Sequence, residues 1–365
     1  MNYNETDLVK IAKRENNTKR SYLVVNPLQG KHIPVSPSKA IDLFNTLATE
    51  LKERYKAEKL LLVGFAETAT AIGAQVAISL ETKYIQTTRE VVPNVDYLFF
   101  SEEHSHATEQ KLVKNDIDRI IDGIDRIIFV EDEVTTGNTI LNIIRILRRE
   151  YTNTLKFSVA SLLNGMTSDH LEVYEKEGID IHYLIKTDHS KFGDVADKCL
   201  CDGIYFDADT EKTDINIIDI PGCMNARRLI DSVKYAEACR KMSENAVEKI
   251  NLLHTKKILV MGTEECMYPA IYMGKYLEEL GHEVKTHSTT RSPISVSSEE
   301  SYPLHRRYTL QSLYDSERRT YIYDIDNYDY VLIVTDSELS DIKGLQSVVN
   351  AVKKKNSKIS VIRWC

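Results

Sequence analysis

Residues 127–139 read I-I-F-V-E-D-E-V-T-T-G-N-T, and within them the chain gathers an unusual set of groups. Four apolar residues lead into Glu131 and Asp132. A hydroxyl- and glycine-rich loop follows, made of Thr135, Thr136, Gly137, Asn138 and Thr139. Where such a loop opens a helix, the first backbone N–H groups lack intrahelical acceptors and carry partial positive charge, so an anion settles there without lysine. The threonines add hydroxyl donors, and Gly137 removes the Cβ that would hold a phosphate off the backbone. No G-x-x-x-x-G-K-[ST] sequence is present, so this is not a Walker loop. Glu131 and Asp132 repel a phosphate. They suit sugar hydroxyls or a hydrated magnesium ion about one sugar width away. A ligand with a phosphate at one end and a diol beside it is a ribose 5-phosphate.

Such a loop needs a scaffold. Strand-like runs at Lys59–Gly64, Ile127–Val130, Phe157–Leu163 and Ile181–Ile185 alternate with helical patterns at about Thr68–Leu80, Asn138–Glu150 and Ser168–Glu177. This alternation predicts an α/β fold with a parallel sheet covered on both faces. Ligands of such sheets sit at the carboxyl ends of the strands, the edge at which Glu131 and Asp132 stand. Residues Ala226–Leu253 read as a connecting helix, after which a second strand–helix series begins at Lys257.

The second series echoes the first. L-L-L-V-G-F-A-E is matched by I-L-V-M-G-T-E-E, T-T-R occurs at Thr87–Arg89 and again at Thr289–Arg291, and R-I-I-F-V-E-D-E-V parallels Y-V-L-I-V-T-D-S-E. The common order implies an internal duplication. In the second copy T-D-S-E-L-S-D-I-K replaces the loop, so its glycine and paired threonines are lost. The expected domains are therefore 1–210, an acidic linker with a connecting helix at 211–256, and a degenerate repeat at 257–365.

With 365 residues, 42% hydrophobic and 28% charged, the chain has material for two cores, and its net charge of −8 argues against nucleic acid as a partner. No apolar run reaches membrane-spanning length, and M-N-Y-N-E-T-D has no signal-peptide core, so a cytoplasmic protein is expected. None of the six cysteines forms C-x-x-C, and they read as reduced thiols.

The loop resembles the phosphoribosyl-pyrophosphate (PRPP) loop of type I phosphoribosyltransferases, in the Glu-Asp form similar to that of purine-salvage enzymes. Lys31-His32-Ile33-Pro34, F-S-E-E-H-S-H-A and T-T-R-S-P extend the likeness over most of the chain. Together they resemble orotate-phosphoribosyltransferase-like proteins that carry a C-terminal TRSP domain and are encoded with tellurium-resistance and stress genes.

The resemblance implies a parallel-sheet phosphoribosyltransferase domain followed by a degenerate α/β domain of related topology. It implies transfer of ribose 5-phosphate from PRPP to a nitrogen of a small-molecule base, with release of pyrophosphate. Thr135–Thr139 would hold the 5′-phosphate, and Glu131 and Asp132 would hold Mg2+ mostly through water. Thr68, in G-F-A-E-T, and Arg89 would grip pyrophosphate. For Arg89 a surface ion pair is the alternative; Glu67 is open between a magnesium-water or amine role and a helix-dipole role. His104 and His106 fall where related enzymes carry a closing hood and could donate to pyrophosphate, with metal binding by H-x-H a lesser option and solvated loop residues the alternative. Lys31 and His32 are weaker candidates for the base or phosphate. Arg291 is a weak candidate for an acidic base or a second substrate, with a surface patch as the alternative. Homodimers occur among such enzymes. A PRPP-binding regulator without turnover and a PRPP synthetase-like enzyme are the competing readings.

Overall fold

The computed structural model describes residues 3–15, 17, 20–100, 110–152, 154–252, 255–339 and 342–365. The chain forms two compact units. One is built from Phe44–Thr187 with Met224–Glu237, the other from Asn2–Leu43, Asp188–Cys223 and Ala238–Cys365.

The first unit contains β1 (Leu60–Gly64), α1 (Thr70–Leu80), β2 (Lys83–Gln86), β3 (Tyr97–Phe100), β4 (Gln110–Val113), β5 (Arg126–Val134), α2 (Asn138–Glu150), β6 (Lys156–Asn164), α3 (Ser168–Lys176) and β7 (Ile179–Lys186). Its main sheet runs β2-β1-β5-β6-β7, all parallel, with the two-residue strand Ile230–Asp231 added antiparallel to β2. Every residue of β1 is buried, as is the first half of β5, which is the pattern of strands covered on both faces. Helix α2 buries Ile140, Leu141, Ile143, Ile144 and Leu147, an i, i+3, i+4, i+7 stripe. β3 and β4 form a separate antiparallel hairpin.

Two sequence expectations shift. β5 does not stop at Val130 but continues to Val134, pairing Glu131 with Ser161 and Glu133 with Leu163 on β6. The segment Ala226–Leu253 is not one helix: it opens with a turn, passes through the edge strand and becomes helical over Ser232–Glu248. Ile230 is drawn into ladder pairing with Tyr84, and the Asp231 carboxylate accepts from the Lys234 amide in the first turn.

The second unit contains β8 (Lys257–Gly262), α4 (Tyr268–Glu279), β9 (Glu283–Ser288), β10 (Arg306–Gln311), β11 (Arg319–Tyr323), β12 (Tyr330–Thr335), α5 (Ile342–Lys353) and β13 (Ile359–Trp364). Its parallel sheet runs β9-β8-β12-β13, with Asn216–Ile220 as the edge strand beside β13. The order repeats β2-β1-β5-β6, and the β10–β11 hairpin falls where the first unit has β3–β4. Strand register agrees as well: Gly64 pairs with Val130, and Gly262 with Val334. The second core gathers Leu259, Met261, Val331, Ile333, Val348, Val352 and Val361. Among the described residues, no helix is long and apolar enough to cross a membrane.

Candidate active site

Ladder pairing with β6 holds the acidic end of β5 in place, and the Gly165 amide donates to the Val134 carbonyl at 2.8 Å to close that edge. The chain then turns through residues 135–136 to Gly137, whose φ of +76° lies in the left-handed region open to glycine. Gly137 is also the N-cap of α2, and its carbonyl accepts the Leu141 amide at 2.9 Å. The first amides of α2 thus emerge directly after the acids, where backbone donors and the positive helix end coincide.

Tyr174 fixes this turn from below. Its hydroxyl donates to the Gly137 carbonyl at 2.6 Å, and its ring packs so closely that a Cβ on Gly137 would lie 2.4 Å from Oη. The glycine is therefore required twice, by backbone angle and by space.

The loop after β1 comes from the neighbouring strand. The Phe65 amide donates to the Val130 carbonyl at 3.0 Å, which ties this loop to β5. The Ala66 amide donates to Thr87 Oγ1 at 2.9 Å, while the Thr87 amide donates to the Gly64 carbonyl at 2.9 Å. Thr87 Oγ1 itself donates to Gln110 Oε1 on β4 at 2.8 Å. The Tyr84 ring lies over Gly64 and Gly73, where side chains would collide with it. The peptide bond Ala66–Glu67 is cis. Thr68 Oγ1 then donates to Asp132 Oδ1 at 2.8 Å, joining the two candidate loops through one acid.

Glu131 keeps part of its surface accessible, yet its pKa is pushed well above the usual carboxylate range. Burial is the largest cause, followed by the charge of Asp132 and, more weakly, that of Glu133. Carboxylates crowded at one strand end gain from a cation that shares their charge. Among the described residues no three His, Cys, Asp or Glu side chains form a ready-made metal cage. The crowded carboxylates of Glu131 and Asp132 are the hard oxygen donors that a magnesium ion takes.

The structure thus brings Thr68, Glu131, Asp132 and the 135–139 loop together. Arg89 is half-buried on the segment after β2, which Thr88 and Lys111 hold against β4 through reciprocal backbone bonds of 2.9 and 3.0 Å. His104 and His106 lie outside the described residues. Lys31, His32 and Arg291 belong to the second unit. There Lys31 Nζ donates to the Glu264 carbonyl at 3.0 Å, the His32 ring stands edge-on to Tyr323, and Arg291 bridges Glu264 and Glu265. Sequence reasoning missed Tyr84, Tyr174 and Gln110. The only signal for the two tyrosines is the set of glycines at 64, 73 and 137, each of which marks a close approach without naming what approaches.

A family model described as phosphoribosyl transferase matches residues 8–188, and one described as the TRSP domain at the C terminus of that transferase matches residues 228–352. No relative is matched among curated proteins. Several solved structures are similar at low identity. Adenine phosphoribosyltransferase from Rhodothermus marinus shares 14% identity over 50% of this chain and 96% of its own, with a TM-score of 0.36. The enzyme from Thermoanaerobacter pseudethanolicus shares 17% over 49% of this chain and 96% of its own, with a TM-score of 0.35. That from Trypanosoma brucei, in complex with AMP, pyrophosphate and ribose-5-phosphate, shares 14% over 49% and 76%, also with a TM-score of 0.35.

Proposed function

We propose, for a chain whose residues 8–188 belong to the phosphoribosyl transferase family and whose residues 228–352 are its TRSP domain, that this enzyme uses PRPP as its ribosyl donor. It transfers ribose 5-phosphate to a nitrogen of a nucleobase or base-like metabolite and releases pyrophosphate. The observation that carries the reading is the joined pair of loops: the Gly137-capped amides of α2 beside Asp132, which Thr68 ties to the loop after β1.

In this reading the α2 amides and the hydroxyls of Thr135, Thr136 and Thr139 take the 5′-phosphate, with Asn138 beside them. Glu131 and Asp132 accept from the ribose hydroxyls and hold magnesium mostly through water. Magnesium, when bound, supplies positive charge to the departing pyrophosphate. Thr68, Arg89 and the backbone of the Gly64–Thr68 loop hold pyrophosphate, and His104 and His106 are assigned to the same group. As the C1–O bond breaks, its electron pair leaves with pyrophosphate, and the nitrogen lone pair forms C1–N. The base then loses a proton. The protein's share is alignment of the nitrogen with C1 and stabilisation of charge that grows on the leaving group. Within the class, the orotate-like layout and a cytoplasmic setting are part of the proposal; six unbridged cysteines support the latter.

The test mixes protein, magnesium and PRPP with a panel of bases and follows pyrophosphate release. Base-dependent release that Asp132→Asn and Thr136→Val each abolish is the expected result. PRPP uptake without release under every base would leave a sensor, and AMP formation from ATP and ribose 5-phosphate a synthetase.

A further inference from the structure

Two of the bonds that fix the first unit's β1 loop recur in the second unit. The Thr289 amide donates to the Gly262 carbonyl at 3.1 Å and the Glu264 amide to Thr289 Oγ1 at 3.0 Å. These are the bonds that Thr87, Gly64 and Ala66 make at 2.9 Å each. Position by position, Glu264 stands where the first unit has Ala66, and Arg291 stands where it has Arg89.

Glu264 is fully buried and holds φ at +47°, in the left-handed region that non-glycine residues seldom enter. Its carboxylate is met from three sides. Oε2 accepts from Arg291 Nε and from Arg318 Nη1, each at 2.9 Å, and Oε1 accepts from Ser312 Oγ at 2.5 Å. Arg291 also reaches Glu265 Oε1 at 3.0 Å. Fully buried Lys31 donates to the carbonyl of the same Glu264 at 3.0 Å. Two guanidinium groups and a hydroxyl converging on one pair of oxygens form a receptor for an oxyanion.

We infer that the Gly262–Glu265 loop is a second oxyanion slot, built like the first but filled by the chain's own Glu264 carboxylate in place of a phosphate group. The inference rests on reading the Gly64–Thr68 loop as the pyrophosphate seat. The second unit therefore takes no phosphorylated ligand while Glu264 is present, and shortening that one side chain restores an anion site. The residue it replaces is an alanine, which leaves the first slot open.

Calorimetric titration of inorganic pyrophosphate into the full chain tests this. Glu264→Ala should bind one more pyrophosphate per chain than the wild type, at least roughly a hundredfold tighter than any binding by the native second slot, because like-charge repulsion from the resident carboxylate is gone. Adding Arg291→Ala should remove the gained site. An unchanged stoichiometry in Glu264→Ala overturns the inference. Should that variant unfold the second unit, its melting with and without pyrophosphate asks the same question: refolding by the anion supports the slot, and no effect refutes it. Failure of the first-site reading is separable, since the wild type would then bind none and the variant one.

Discussion

Gly137→Ala perturbs the proposed phosphate loop at its tightest point. A Cβ there would sit 2.4 Å from Tyr174 Oη and 2.8 Å from two ring carbons, on a backbone whose φ is +76°. Holding an L-residue in the left-handed region costs about 1–2 kcal/mol. Displacing a packed ring adds about 1–3 kcal/mol, and loss of the bond from Tyr174 to the Gly137 carbonyl adds about 1 kcal/mol. Ring displacement and bond loss overlap, so a total of about 3 kcal/mol is expected, concentrated in β5, α2 and α3. Two compact units need not unfold together, so the assay is hydrogen exchange at the α2 amides rather than a global melting point. PRPP titration should show affinity reduced at least about tenfold, since about 1.4 kcal/mol suffices for that. Tyr174→Ala frees the space. In the double variant the two destabilisations should sum to less than their parts by about 1–2 kcal/mol. Exchange within about 0.5 kcal/mol of wild type, with unchanged PRPP affinity, would refute both the strain and the placement of the ligand.

Thr68→Val removes the donor to Asp132 and should lower kcat/KM about tenfold, a hydrogen bond to a charged acceptor being worth about 1.5–3 kcal/mol. The magnesium requirement should rise with it, and Thr68→Ser should restore both; a wild-type magnesium dependence in the valine variant would contradict the role. Arg126→Met tests the opposite end of β5, where the buried guanidinium meets Glu58 at 2.5 Å and Asp180 at 2.9 Å and lies over the Tyr55 ring at 4.2 Å. Because both acids are partly exposed and Lys156 still reaches Glu58 at 2.8 Å, a loss of about 2–3 kcal/mol is expected in denaturant titration, at or below the low end for a broken buried pair. In the second unit, burial holds the His287 pKa down at about 4 against 6.5, with the nearby Lys31 charge adding to it. A histidine depressed in the folded state leaves the unfolded chain holding more protons between those values. Stability should therefore be full above about pH 6.5 and fall towards pH 4, by up to about 3 kcal/mol. His287→Asn should flatten that slope in second-unit unfolding followed from pH 7 to 4, and an unchanged slope would assign the titration elsewhere.

The parts of this fold that could be read from sequence are those fixed by local pattern. Helix α2 spans Asn138–Glu150 because its apolar stripe and its glycine N-cap lie within a few residues of each other. The continuation of β5 through Glu131–Val134 was hidden, because an apolar run reports burial, whereas the acids remain strand by pairing with Ser161 and Leu163 across the sheet. The strand Ile230–Asp231 was hidden for the same reason: two residues have no period, and their partners Tyr84 and Lys83 define them. In the candidate site, the acids and the hydroxyl loop announce their chemistry by type. Tyr174 does not, because it reaches Gly137 across 37 residues of chain and acts through shape.

The duplicated loops turn this limit into an argument about specificity. Both units make the same two bonds, from threonine amide to glycine carbonyl and from the loop amide to threonine hydroxyl, so this shared pair of bonds does not decide which copy binds an anion. Two sequence differences bear on it. After β5 the first unit has T-T-G-N-T, where the second reads L-S-D-I-K after β12. At the loop after the first strand, Ala66 leaves space that Glu264 fills with charge matched to Arg291 and Arg318. A buried guanidinium stranded without its carboxylate is strongly unfavourable. A copy that lost its ligand while keeping its arginines is therefore stabilised by acquiring an internal acid. On that logic Glu264 and Arg291 change together, and the arginine recurring in T-T-R is an electrostatic partner in the second unit and the proposed ligand clamp in the first.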